Sequence, residues 1–132
     1  MSTRVLMTVS ASFTGLLGVA ASFLPQELLG YAGAEVTRAA VLLVQLMGAL
    51  YLGSAALNWM SRGFITGGIY GRPLIMANLA HFMVGAIALL KAAFIGPLAA
   101  GIALAVIPYS VLAAWFALVL FRHPAGYPGA AS

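Results

Sequence analysis

The chain contains no cysteine, which excludes disulfides, thiolate metal sites, thiol–disulfide exchange and thiol nucleophiles together. Carboxylates are almost as scarce. Glu27 and Glu35 are the only two, which leaves paired-carboxylate acid–base chemistry and clustered metal ligands without material. Charge of either sign is rare: Lys+Arg 6 and Asp+Glu 2, or 6% of 132 residues. An average soluble domain carries about 25%, so this chain cannot coat a water-facing surface. The net charge of +4 is scattered over six cations that form no basic face, and nucleic acid is rejected as a partner.

What the chain has is apolar length. It is 64% hydrophobic, with a mean hydropathy of +1.09. Charged residues separate four long uncharged runs, Val5–Gln26, Ala39–Ser61, Pro73–Leu90 and Ala92–Phe121. A helix crosses a hydrocarbon core of about 30 Å with roughly 20 apolar residues, so four spans fit and five do not. Backbone groups in lipid must pair within a helix or a closed barrel, and runs without alternation read as helices. The expectation is one all-α domain over residues 1–132, an integral membrane four-helix antiparallel bundle. Its spans are about 5–24, 39–60, 74–93 and 98–121. A short turn at Phe94-Ile95-Gly96-Pro97 makes spans three and four adjacent, and Pro25–Arg38 and Ser61–Pro73 are read as connections. The tail 123–132, rich in Pro and Gly, is expected to be mobile.

Orientation follows from the cations. Arg4, Arg62, Arg72 and Arg122 fall on one side, whereas Arg38, Lys91 and both glutamates fall on the other. The positive-inside rule then predicts both termini to be cytoplasmic. Trp59 and Tyr70 on that side, and Tyr31 on the other, match the preference of amphipathic rings for the interface.

Helices in lipid associate through close packing and interhelical hydrogen bonds rather than the hydrophobic effect. Ala11, Gly15, Gly18 and Ser22 form one small-residue face on the first span. That stripe serves as a helix-packing interface, either closing the bundle internally or facing another copy. Near mid-membrane, Tyr51, His81 and Tyr109 share a level, and Asn78 and Asn58 lie nearer the cytoplasm. Ionisable groups at such depth are costly and face the interior or a wet cavity. These five residues are the candidate ligand or permeation site. The competing reading is a satisfied interior histidine that fixes helix register. A bis-histidine haem is disfavoured, because His123 lies at the surface. Arg62 and Arg72 flank a glycine-rich loop, Gly63 to Gly71, that could cradle an anionic headgroup, or simply be a flexible positive-inside turn. Pro108 is expected to kink the fourth span beside Tyr109 and Ser110. No catalytic residue, metal site or cofactor is assigned.

Two stretches carry a resemblance. Asn58-Trp59-Met60-Ser61-Arg62-Gly63, followed by Gly67-Gly68-Ile69-Tyr70-Gly71-Arg72-Pro73 and Asn78-Leu79-Ala80-His81-Phe82, resembles a pattern in small bacterial four-span proteins. In size and layout the chain is similar to DoxX-like membrane proteins. The resemblance implies a multi-pass protein of the bacterial inner membrane, with function concentrated around spans two and three. The favoured function is a non-enzymatic membrane subunit, self-associating as a homo-oligomer or built into a larger membrane complex, with membrane lipids as its other partners. The alternative is a small transporter, channel, or lipid- or quinone-binding protein with its site around His81.

Overall fold

The computed structural model describes residues 3–63, 71–97 and 100–122, and among these it is all-helical. Five helices follow in order: α1 (Thr3–Phe23), α2 (Pro25–Tyr31), α3 (Arg38–Ser61), α4 (Gly71–Ile95) and α5 (Ala100–Arg122). Helices α1, α3, α4 and α5 are each long and apolar enough to cross a membrane. The expected mobile tail and most of the glycine-rich loop, residues 64–70, lie outside the described residues.

The connection read between the first two spans is itself partly helical, and that expectation is corrected. Pro25 opens α2 at a position where its fixed φ suits a helix and its missing N–H is not needed. Glu27 sits favourably in the first turn. The helix ends in a Schellman arrangement: Gly33 takes φ +71°, and its N–H and that of Ala34 donate to the carbonyls of Gly30 and Leu29 at 3.1 and 2.9 Å. Thr37 then caps α3, its hydroxyl accepting from the Ala40 N–H at 3.1 Å. Two further boundaries move. Helix α4 starts at Gly71, because Pro73 is tolerated in a first turn. It also runs on to Ile95, into the expected short link, and stops at Gly96-Pro97.

Helices α1 and α3 pack along the small-residue stripe. A Cβ at Gly15 would stand 3.5 Å from the Cβ of Ala55. One at Gly18 would stand 2.9 Å from the Leu52 nitrogen and 3.0 Å from the Gly48 carbonyl. One at Gly48 would stand 2.7 Å from the Ser22 nitrogen. Backbones approach this closely only because no side chain intervenes. Of the two readings of this stripe, the one realised is internal: Gly15, Gly18 and Ser22 are spent against α3 within the protomer, and Ala11 and Gly18 are buried.

Helices α4 and α5 pair by filling space instead. The Tyr109 ring lies where a Gly85 side chain would be. Phe82 stacks on Phe116 at 5.7 Å, with the rings 10° from parallel. Phe13 of α1 joins them, edge-on to Tyr109 at 5.7 Å, and Leu6 and Met7 complete a core that includes Ile75, Leu112 and Val119.

Gly18 gives the sharpest test of this packing. Gly18→Leu should lower stability in detergent by about 1–3 kcal/mol or more, since neither nearby backbone can retreat easily. Gly30→Ala, which meets nothing within 4 Å, should be neutral or slightly stabilising. Thermal unfolding followed by circular dichroism compares the two.

Candidate functional site

Two polar layers join the α1–α3 pair to the α4–α5 pair. In the first, Asn58 and Asn78 exchange a reciprocal pair of amide hydrogen bonds, each amide NH2 donating to the other's carbonyl oxygen at 2.7 Å. The Asn58 amide also donates to the Ser10 hydroxyl at 3.2 Å, and the Asn78 amide to the Leu74 carbonyl at 2.9 Å. The Ser10 hydroxyl in turn donates to the Met7 carbonyl at 3.1 Å. Ser10 and Asn58 are fully buried and Asn78 nearly so. Both amides thus have donors and acceptors engaged, as groups withdrawn from water require.

The second layer lies toward the other end of the helices. The Tyr51 and Tyr109 hydroxyls hydrogen-bond to each other across α3 and α5. His81 sits beside them, its ring 5.4 Å from Tyr51 in an edge-on geometry and 5.8 Å from Tyr109. His81 Nε2 is buried with no hydrogen-bond partner among the described residues. Trp115 Nε1 is in the same condition. Pro108 falls inside α5 next to Tyr109, where it withholds one backbone donor.

The five candidate residues therefore divide. Asn58 and Asn78 satisfy each other and leave little for a ligand. His81, Tyr51 and Tyr109 form a separate cluster whose one open valence is on the histidine. Asn78 and His81 are not bonded to each other, although they lie one turn apart on α4.

At the end nearest the amide layer stand Arg4, Arg62 and Arg72. Arg62 folds back onto its own helix. Its guanidinium lies 3.8 Å from the centre of the Trp59 ring and donates to the Trp59 carbonyl at 3.3 Å. Arg72 is exposed at the start of α4. No group of three metal-ligating side chains occurs among the described residues.

Two features escaped sequence reasoning. One is Arg4, which shares a surface groove with Arg62. The other is Gln45, an exposed amide on α3 with no hydrogen bond within the described residues. It stands seven residues beyond Arg38, about 10 Å along the helix axis and well inside a span. A lone glutamine in an apolar run does signal itself, but its direction is known only once the partner of α3 is known.

No family model, curated protein or solved structure matches this chain.

The amide pair predicts non-additive energetics. Asn58→Ala and Asn78→Ala should each destabilise by about 1–3 kcal/mol, because each strands a buried amide. The double variant should cost less than the sum, with a coupling of about 1 kcal/mol in a double-mutant cycle.

Proposed function

We propose that this chain is a non-enzymatic, multi-pass subunit of a bacterial inner membrane, a four-helix antiparallel bundle that associates with further copies or with a larger membrane complex. The opposed order of the pairs Ser10–Asn58, Gly15–Ala55 and Ser22–Gly48 supports antiparallel α1 and α3. Phe82–Phe116 and Gly85–Tyr109 do the same for α4 and α5. The cation-rich end, with Arg4, Arg62, Arg72 and Arg122, supports cytoplasmic termini.

The observation that carries association is Gln45. An amide facing hydrocarbon without a partner is costly, and a facing helix relieves that cost with an interhelical hydrogen bond. Ala49 and Gly53 follow on the same side of α3 at steps of four, both exposed, and a Cβ at Gly53 would meet nothing within 4 Å. A second backbone has room to approach there. Gln45→Leu should weaken association by about five- to thirtyfold, the equivalent of 1–2 kcal/mol for one such bond. Native mass spectrometry of gently extracted protein reads this as a shift to smaller assemblies. Unchanged size with an intact fold would remove Gln45 from the interface.

A second reading rests on His81. Its unpartnered Nε2 beside two hydroxyls supports a site for a small hydrogen-bonding molecule of the membrane, such as a quinone, a lipid or a transported solute. His81→Leu should then abolish retention or flux of that molecule while thermal stability stays within about 1 kcal/mol. Loss of stability with no molecule ever retained would assign the histidine to packing alone.

A further inference from the structure

The cation-rich end of the α1–α3 pair holds a feature unrelated to either polar layer. Arg4, Trp59, Met60, Arg62 and Gly63 line an open groove where the two helices end. Trp59 continues that groove into a second one, more apolar, walled by Ala11, Ser12, Ala55 and Ala56. The two share Trp59 as a hinge between a charged mouth and an apolar channel along the helix pair.

The charges at this mouth have no counterion in the chain's own acidic side chains. Glu27 lies in α2 and Glu35 just before α3, both at the far end of the helix pair from Arg4 and Arg62. Stacking on Trp59 fixes one face of the Arg62 guanidinium and orders a side chain that would otherwise sample many rotamers. Arg4 makes no side-chain hydrogen bond within the described residues. Two guanidiniums facing one groove suit a phosphate, which accepts several charge-assisted hydrogen bonds at once. The small residues beyond Trp59 leave a furrow of about one helical turn, in a region where the surrounding solvent is itself acyl chain.

We propose that this groove binds an anionic phospholipid, its phosphate held between Arg4 and Arg62 and the glycerol-proximal part of one acyl chain laid along Ala11, Ser12, Ala55 and Ala56. Trp59 sits at the headgroup level, where an indole ring is favoured, and separates the two portions of the lipid. The site differs from a Arg62–Arg72 cradle in using α1 and α3 alone, the pair held together by the glycine crossing.

The test uses the intact chain in phosphatidylcholine vesicles carrying a minor fraction of brominated phosphatidylglycerol. In a Trp115→Phe background Trp59 is the sole indole, since the chain has two tryptophans. Brominated phosphatidylglycerol should quench Trp59 several-fold more than the same fraction of brominated phosphatidylcholine. Arg4→Gln and Arg62→Gln should each reduce that preference about fivefold, the factor expected for one cation near a lipid phosphate. The pair Arg72→Gln with Arg122→Gln removes equal charge from the same end and should leave most of the preference intact. Native mass spectrometry of the protein with Trp115 in place should count retained phosphatidylglycerol that the Arg4→Gln/Arg62→Gln variant loses. Equal quenching by the two lipids would overturn the proposal, as would equal losses from the two arginine pairs. Displacement of the quencher by soluble glycerol 3-phosphate would overturn the assignment to lipid in favour of a free phosphate.

Discussion

The reciprocal bond between Asn58 and Asn78 is the interaction on which this arrangement of helices depends. Within lipid no hydrophobic gain distinguishes one helix pairing from another, because the tails are as apolar as leucine. The α1–α3 pair is self-sufficient through its glycines, and the α4–α5 pair through its rings. The apolar contacts between the pairs, such as Phe13 against Tyr109, are less directional than a hydrogen bond. Two amides that satisfy each other's donors and acceptors specify how one pair meets the other, since sliding either helix by one residue separates them by about 1.5 Å and rotates them apart. Ser10 and Leu74 then absorb the remaining amide hydrogens, so no displaced register offers an equal alternative.

Once that register is set, the second polar layer follows from spacing. His81 lies one turn beyond Asn78 on α4, and Tyr51 lies two turns before Asn58 on α3. Both are thereby carried to the level of Tyr109, where the two hydroxyls can bond and the imidazole is left between aromatic rings. The layers consequently differ in kind. The amide layer is saturated, whereas the aromatic layer retains a buried nitrogen with no partner among the described residues.

Much of this was readable in the residues, for physical reasons that also mark where reading stops. Four uncharged runs translate into four long helices because charge is intolerable over that length of hydrocarbon. The rhythm of Gly15, Gly18 and Ser22 marks a close approach, and depth alone puts Asn58 and Asn78 near one level. Which helix fills a small-residue face is not encoded locally: Gly18 needs a partner as bare as itself, and Gly48 supplies one. Helix α2 was obscured because Pro25 reads equally well as the end of one helix and the start of another. Gln45 and Arg4 acquire meaning only from what lies beside them in space.

The same constraint explains the uneven exposure of the four long helices. Helix α3 buries only Gly48, Asn58 and Ser61, whereas α5 buries six residues including Tyr109 and Phe116. A helix that gives its buried positions to a glycine and two polar side chains contributes contact geometry rather than apolar volume. Its stability comes from backbone approach to α1 and from the amide bond to α4, and most of its surface remains turned to the surroundings. In water such a helix would be a liability. In a bilayer it is free to carry other groups, and α3 carries three: an amide without a partner among the described residues, an open glycine, and an indole stacked on a cation. The helix that contributes least to the core thus leaves most of its surface uncommitted within the fold.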